Sequence, residues 1–259
     1  MPDNPSKIQL IDAHCHLDFE IFDDDREQVL QRAKDQNITD IIIPGTERKY
    51  WQRISELCND KNLHASYGLH PYWINSHTKK DLTGLDRYIE DNKSVAVGEC
   101  GLDFRPQQAS REEQIEFYEA QLDIAKHHHL PVVIHSVKAT DSVIQSIKKH
   151  KDLTGMVHSF SGSVQQAKQL IDLNFYISIS GSVTHDNAKK MRAVVNAIPL
   201  SSLLLETDAP DQADSKNKNG RNEPAYLVNT LDTISELREE TREDIALQTT
   251  SNAKRLFNI

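Results

Sequence analysis

The sequence predicts a single α/β domain over residues 1–259, folded as a (β/α)8 barrel of the TIM type with an extra C-terminal helix. Short segments rich in Val, Ile or Leu alternate eight times with longer polar or amphipathic segments, a pattern typical of a parallel sheet covered by helices. The chain has 259 residues, close to the roughly 250 of one such barrel. Eight strands fit a closed barrel better than an open doubly wound sheet.

Each predicted strand is a short apolar run, as a strand buried on both faces should be. The eight runs cover residues 8–14, 40–45, 63–70, 94–99, 131–135, 154–158, 174–180 and 202–208. Neither GxGxxG nor GxxxxGK[ST] follows any of them. The usual glycine-rich phosphate loops therefore have no support.

The segments between the strands carry helical patterns, clearest at 110–128. Ser110 followed by Glu113 is a capping-box pattern, and Ile115 and Tyr118 begin an apolar stripe at helical spacing. The other predicted helices cover 25–36, 48–59, 80–92, 139–150, 163–173, 186–197 and 224–237, with a last helix at 241–257.

One long irregular stretch, residues 209–223, follows the eighth predicted strand directly. Loops of this length in compact domains are usually functional or disordered. The stretch contains Lys216, Lys218 and Arg221, the best local basic cluster of the chain. We therefore predict Arg221 as a substrate-binding residue; a solvated surface loop is the alternative.

Composition and charge restrict the functional class. A net charge of −9 argues against nucleic-acid binding through a broad basic face, so any such role would depend on a local basic patch or on bound cations. The three cysteines are far apart with no CxxC pair, which suits a reducing compartment. The first ten residues lack the pattern of a leader peptide, and no apolar run approaches the length of a membrane span. We expect a cytoplasmic protein with no membrane partner.

Histidine and carboxylate residues end five different predicted strands. They are His14, Glu99, His135, His158 and Asp208. Carboxyl ends of barrel strands converge at one mouth, where catalytic residues of this fold lie. A single histidine at a strand end is more often only hydrogen-bonded, but matching positions on five strands predict one shared site.

His14 and His16 strengthen the case for a metal. On a strand, residues two apart point to the same face, about 6.6 Å apart along the chain, so both imidazoles can bind one ion. Cys15 points the opposite way and is predicted to fill core space. Glu99 ends a buried strand, where its two oxygens could bind two different cations; a charged residue beginning a loop is the alternative.

Asp208 ends the segment Leu203–Asp208. Its carboxylate could hold an ion and also accept a proton from water bound to that ion. Glu206 lies two residues earlier on the same face, so we predict that it supports a metal ligand from behind. A buried salt bridge is the alternative for Glu206.

The predicted ligands offer nitrogen and oxygen but no thiolate, which excludes a closed cysteine-rich zinc site. The set suits Zn, Mn or Mg in an open catalytic site, with histidine favouring Zn or Mn over Mg. Six ligands are too many for one catalytic ion but suit two. A pair of divalent ions serves phosphate-ester and amide hydrolysis, because a bound ion lowers the pKa of water from 15.7 to about 7.

Several segments together resemble the TatD family of metal-dependent deoxyribonucleases. They are DAHCHLD (12–18), GLHP (68–71), VAVGECGLDF (95–104), PVVIHS (131–136), VHSFSG (157–162), LLLETDAP (203–210), RNEP (221–224) and the tail NAKRLFNI (252–259). They occur in the family's order and span nearly the whole chain.

The resemblance implies a (β/α)8 barrel with two divalent ions that share Glu99. One ion would be held by His14, His16, Glu99 and Asp208, and the other by Glu99, His135 and His158. The resemblance also implies phosphodiester hydrolysis, often as a 3′-to-5′ exonuclease on DNA. Asp208 would accept the proton, so Asp208 and Glu99 are the predicted catalytic residues, and His70 would lie near a substrate phosphate.

Three segments depart from the family pattern. Many members have Arg soon after the fifth-strand histidine, whereas here Val137 and Lys138 follow Ser136. Ser159 stands where many relatives have Cys, and Asp211 where many have an aromatic or apolar residue. Every predicted metal ligand is kept, so these changes bear on substrate preference more than on chemistry.

Alternatives to a DNA-cleaving enzyme remain at this point. The same ions could hydrolyse a small amide, ester or lactone, for which a net charge of −9 is no obstacle. A non-catalytic metal-binding barrel is a second alternative, although a binding module has no need of an open two-ion site. Trp73 follows a predicted strand end and could stack on a base, with packing as the favoured alternative. We expect a monomer without an obligate protein partner.

Overall fold

Eight parallel strands form one sheet in the computed structural model, which describes residues 8–106 and 108–259. The strands follow one another around the sheet in chain order, and each pairs in parallel with the next. They are β1 (Leu10–Asp12), β2 (Ile38–Pro44), β3 (Leu63–Tyr67), β4 (Ala96–Asp103), β5 (Val132–Val137), β6 (Gly155–Val157), β7 (Phe175–Ile179) and β8 (Leu203–Leu205). The predicted barrel class is confirmed.

The first and last strands meet through the segments that follow them. The Ala13 amide donates to the Leu205 carbonyl (3.0 Å), and the Asp208 amide donates to the His14 carbonyl (2.9 Å). These bonds close the barrel at its mouth. They also place the residues following β1 beside those following β8.

A helix follows each strand, and one further helix ends the chain. The helices are α1 (Arg26–Asp35), α2 (Trp51–Leu57), α3 (Lys79–Asp91), α4 (Arg111–His127), α5 (Thr140–Lys149), α6 (Val164–Asp172), α7 (Lys189–Ala197), α8 (Leu227–Leu237) and α9 (Arg242–Phe257). Short 3-10 turns lead into α2 and α8. The predicted C-terminal helix is confirmed as α9, where Asn252 donates to the carbonyls of Leu200 (2.9 Å) and Leu203 (2.8 Å).

Two apolar clusters make up the core. The smaller joins residues of several strands, among them Val133 and Met156, with Phe257 of α9, so α9 plugs the barrel at the end opposite its mouth. Side chains two residues apart on a strand share a face. His135 and His158 therefore continue toward the mouth on the face of Val133 and Met156.

Strand β4 is longer and less regular than the sequence predicts. The prediction ended this strand at Glu99, but it continues to Asp103, with shifted pairing between Val97 and Cys100. Gly98 has φ +153° and Gly101 has φ +132°, and a Cβ at Gly101 would lie 2.1 Å from the His135 carbonyl oxygen. Only glycine fits such positions, and this irregular course is not visible in an apolar pattern.

Other expectations can be compared with the described residues. Cys15, Cys58 and Cys100 are all free thiols, in line with the absence of a disulfide framework. No helix within 8–106 or 108–259 combines the length and apolarity needed to cross a membrane. Residues 1–7, most of the stretch on which we predict no leader peptide, lie outside the described residues.

Candidate metal centre

The six predicted metal ligands come together at the mouth of the barrel. They lie in and beneath an open cleft of about 580 Å³. The ligand residues that line the cleft are His16, Glu99, His135, His158 and Asp208, and His14 is fully buried beneath it. Residues as far apart in the chain as His14 and Asp208, 194 positions, thus share one site.

Two imidazole nitrogens and two carboxylate oxygens form a first donor group. His14 Nε2 is 3.2 Å from His16 Nε2, 3.2 Å from Glu99 Oε2 and 3.4 Å from Asp208 Oδ1. His16 Nε2 is 3.4 Å from that glutamate oxygen and 3.5 Å from that aspartate oxygen. Both imidazole nitrogens thus lie within 3.5 Å of both carboxylate oxygens, and nitrogen and oxygen donors of these kinds are ligands of zinc.

A second group forms around the other oxygen of Glu99. Glu99 Oε1 is 2.9 Å from His135 Nδ1 and 2.9 Å from His158 Nε2, and the two ring nitrogens are 3.1 Å apart. Glu99 thus faces one donor group with Oε2 and the other with Oε1. A carboxylate in this position can bridge two cations.

Glu99 and His14 have the protonation states that a cation requires. The nearby carboxylates, against the effect of burial, raise the pKa values of His16, His135 and His158, so an ion would have to displace protons from these three rings. No described residue donates a hydrogen bond to the buried Oε2 of Glu99. Burial alone would raise the pKa of this carboxyl, but the surrounding histidines hold it well below its usual value. Burial lowers the pKa of His14 and lowers that of His70 to about 4. An ionised carboxylate and a neutral His14 offer the lone pairs that a divalent metal requires.

Asp103 lies behind His135 and was missed by the sequence analysis. Its Oδ2 is 3.4 Å from His135 Nε2, and Arg105 Nε binds both of its oxygens at 2.9 Å. Burial would raise the pKa of Asp103, but these two partners hold it well below its usual value. Glu99 and Asp103 are four residues apart, a spacing that places two residues on the same face of a strand. This spacing was not used because the predicted strand ended at Glu99.

Glu206 lies behind His158, where the sequence predicts a supporting partner. Its Oε1 is 3.6 Å from His158 Nδ1 and accepts from the Ser159 amide (2.5 Å), and its Oε2 accepts from Ser178 Oγ (2.6 Å). Although burial opposes ionisation, His158 lowers the pKa of Glu206. Carboxylates in such positions fix the orientation of metal-binding histidines.

Asp208 is positioned by Gln212, which the sequence analysis did not identify. Gln212 Nε2 donates to Asp208 Oδ2, and its own oxygen accepts from the hydroxyls of Ser159, Ser180 and Ser182. The amide orientation of Gln212 is therefore fixed. Asp208 keeps Oδ1 toward the first donor group while Oδ2 is held from the side of the cleft.

His70 lies beside the second donor group. Its Nε2 is 3.0 Å from Glu99 Oε1, and its Nδ1 accepts from the Tyr72 amide (3.0 Å). With Nδ1 accepting, a neutral imidazole carries its proton on Nε2. This N–H faces Glu99 Oε1 in the structure, and the His70 ring also lines the cleft.

Arg221 is not brought to this cluster. Its guanidinium binds both oxygens of Asp25 at 2.7 Å and donates to the Ile21 carbonyl at 2.7 Å. Lys216, from the same loop, bonds to Asn229 (3.0 Å). The binding of substrate by Arg221 stays a prediction, and the structure gives this side chain a partner other than substrate.

Aromatic side chains form one wall of the cleft. Phe19, Tyr72 and Trp73 all line it. The Tyr72 and Trp73 rings are 5.0 Å apart in an edge-to-face arrangement, and Tyr72 is 48% exposed. The Arg105 guanidinium lies 5.5 Å from the Tyr72 ring. An exposed ring next to a cation is a surface on which a flat aromatic group can stack.

Comparison with known proteins places this geometry in context. The family model for TatD related DNase matches residues 11–258. The metal-dependent hydrolase YabD of Bacillus subtilis is 38% identical over 96% of this chain and 99% of its own. YjjV of Escherichia coli, also described as a metal-dependent hydrolase, is 39% identical over 97% of this chain and 98% of its own. The crystal structure of the TatD homologue YjjV superposes with a TM-score of 0.94, at 37% identity over 97% of this chain and 99% of that one. Neither relative's name specifies a substrate.

Proposed function

This chain belongs to the TatD family of metal-dependent hydrolases, and we propose that it is a deoxyribonuclease that removes nucleotides from the 3′ end of DNA. The observation that carries the proposal is the position of Glu99. Its two oxygens face two separate donor groups on the floor of an open cleft, which suits two ions and a substrate that remains accessible to water.

Two divalent ions (Zn, Mn or Mg) would be held by these groups. His14, His16 and Asp208 would hold one ion, His135 and His158 would hold the other, and Glu99 would be shared between them. When bound, such ions would supply an activated water and neutralise charge on the oxygens of a phosphodiester.

The protein's own groups complete the chemistry. Asp208 accepts the proton of the attacking water, because its carboxylate borders both the first donor group and the cleft. Gln212 keeps that carboxylate in one orientation. His70 Nε2 faces Glu99 Oε1 at 3.0 Å in the structure, and its N–H would turn to a phosphate oxygen once Glu99 is engaged by ions.

The cleft wall favours a nucleic acid over a small amide, ester or lactone. Tyr72 and Trp73 provide stacking surfaces for bases, and the Arg105 guanidinium, which pairs with Asp103, lies beside the Tyr72 ring. Proteins that bind single-stranded nucleic acid combine these two features. A small amide or lactone would make no use of an exposed aromatic wall.

A single assay tests the proposal. A 5′-labelled single-stranded oligonucleotide is incubated with wild type and with Asp208→Asn, each in EDTA or with Mg, Mn or Zn. Stepwise shortening from the 3′ end that needs metal and is lost in the variant is expected. Asp186→Asn, which removes an exposed carboxylate outside the cleft, serves as the matched control. Metal-loaded wild type that leaves the oligonucleotide intact would overturn the nuclease proposal and direct the search to small esters and amides.

A further inference from the structure

A second cavity lies beside the metal cleft. It has a volume of about 530 Å³ and is lined from four parts of the fold: the segment leading into α4, the segment from the end of β5 into α5, the segment from the loop after β6 into α6, and α7. Ser161 lines both this cavity and the metal cleft, so the two spaces are contiguous. We call it the basic cavity, after its lining residues Arg111, Lys138 and Lys190.

The basic cavity carries an excess of unpaired positive charge. Arg111, Lys138 and Lys190 are all exposed, and none forms an ion pair with a carboxylate of the described residues. Among the described residues that line the cavity, Asp141 is the one acidic residue. Its carboxylate accepts a hydrogen bond from Gln166 (2.7 Å). The cavity is thus positively charged although the chain as a whole has a net charge of −9.

Hydrogen-bond donors supplement these cations. Helix α5, ten residues long, begins at the cavity, and no side chain caps its N-terminus at Ala139. The hydroxyl groups of Ser142 and Ser161 also line the space. Uncapped first-turn amides together with lysine and arginine charges favour an anion with several oxygens, such as a phosphate.

The position of Lys138 ties the cavity to the metal centre. Lys138 follows the proposed ligand His135 by three residues, which limits the distance between their Cα atoms to about 11 Å. Ser136 and Val137, between them, line the metal cleft, whereas Lys138 lines the basic cavity. A chain of phosphates passing through the cleft would therefore meet the cavity next.

We infer that the basic cavity binds a backbone phosphate of the DNA strand, away from the bond being hydrolysed. The inference rests on the proposed nuclease function and assigns Arg111, Lys138 and Lys190 to holding the part of the strand that is retained. It explains how an acidic protein holds a polyanion without a broad basic face, because the positive charge is concentrated where the strand leaves the cleft.

The test compares a substrate that reaches the cavity with one that does not. The first is a 12-nucleotide single strand, and the second is thymidine 5′-(p-nitrophenyl phosphate), which contains one phosphodiester. In Lys138→Gln/Lys190→Gln, kcat/KM for the 12-mer is expected to fall roughly tenfold while kcat/KM for the small diester stays within about twofold. The plot of log KM against log salt should become less steep by about 1.4, since each phosphate contact on a single strand contributes about 0.7.

Lys151→Gln/Lys168→Gln is the matched control, because it removes two exposed lysines that do not line the cavity. An equal loss of kcat/KM for the 12-mer in both double variants would show a general charge effect and overturn the inference. The inference would also be overturned if the ratio of kcat/KM for the 12-mer to kcat/KM for the small diester were unchanged in the cavity variant. If wild type cleaves neither substrate, the proposed function fails by itself. Fluorescence anisotropy of the labelled 12-mer in EDTA then decides the inference: weaker binding only in the cavity variant supports it, and equal binding of all three proteins overturns it.

Discussion

Asp103 and His135 form a carboxylate–histidine pair at the edge of the cleft that contains the proposed metal ligands. Asp103 Oδ2 is 3.4 Å from His135 Nε2, and His135 Nδ1 in turn is 2.9 Å from Glu99 Oε1. The carboxylate fixes the proton on Nε2, which leaves the lone pair of Nδ1 facing the second donor group. Arg105 binds the same carboxylate and so fixes the pair from outside.

Replacement of Asp103 by Asn should weaken metal binding without unfolding the barrel. Partners of this kind typically contribute 10- to 100-fold to metal affinity, and we expect a loss within about that range in chelator-competition titrations. Asp40→Asn is the matched control, since Asp40 bonds to His64 (2.8 Å) at a site away from the cleft. Equal affinities of wild type and Asp103→Asn would contradict the role given to this carboxylate.

The pair between Asp25 and Arg221 should make stability depend on acid pH. Hydrogen bonds from Arg221 lower the pKa of Asp25 to about 2, whereas an unfolded aspartate titrates near 3.9. A group with a lowered folded pKa stabilises the protein above the unfolded pKa and loses that effect as pH falls toward the folded pKa. The window here is about pH 4 to 2.

The measurement is urea unfolding of wild type and Asp25→Asn between pH 7 and pH 3. The gap between the two midpoints should be constant above about pH 5 and should narrow steadily below pH 4. A gap that stays constant down to pH 3 would show that the pair does not stabilise the fold through its charge. A second readout concerns Arg221: if it binds DNA, as the sequence predicts, Asp25→Asn should change the KM for an oligonucleotide.

The three thiols should react slowly in the native protein. Burial raises the pKa of Cys58 to about 12, and it also raises the pKa values of Cys15 and Cys100 well above that of a free thiol. Because the thiolate is the reactive form, labelling with a disulfide reagent at pH 8 should be more than roughly 100-fold slower than for a free thiol. Three thiols should become reactive together in denaturant. One fast thiol in the native protein, assigned with Cys58→Ser, would contradict this.

The sequence was sufficient to predict the barrel and the meeting of the proposed metal ligands at its mouth, for a physical reason. Parallel strands of a barrel end at one mouth, so residues such as His135 and His158 need only be placed at strand ends. Nothing comparable reveals Gln212, which lies in an irregular loop, or the pairing of Arg221 with Asp25, 196 residues away. These positions depend on how loops pack, and loop packing has no periodic signal in the chain.

The same limit applies to Asp103 and to the basic cavity. Asp103 lies on a strand that continues past Glu99 only because Gly98 and Gly101 adopt backbone conformations closed to other residues. The charged residues of the cavity come from helices and loops that are distant in sequence. The sequence therefore showed that Lys138 follows Val137 where many relatives have Arg, but it could not show which cavity Lys138 lines.

The exposed ring of Tyr72 should contribute to binding of single-stranded DNA by stacking. Stacking of a base on an aromatic side chain is worth about 1–3 kcal/mol, so Tyr72→Ala should weaken oligonucleotide binding about 5- to 150-fold in anisotropy titrations. Because no charge is removed, the salt dependence of binding should stay that of wild type. This separates stacking from the electrostatic role of Lys138 and Lys190.

Tyr72→Phe provides the matched variant. It keeps the ring beside Trp73 and beneath Arg105 and loses only the hydroxyl, so its affinity should return to within about twofold of wild type if stacking is the interaction. An equal loss in Tyr72→Phe and Tyr72→Ala would assign the contribution to the hydroxyl instead. If Tyr72→Ala binds the oligonucleotide with wild-type affinity, the aromatic wall no longer supports a nucleic-acid substrate. A small ester would then be an equally good candidate, because the two donor groups around Glu99 serve either substrate equally well.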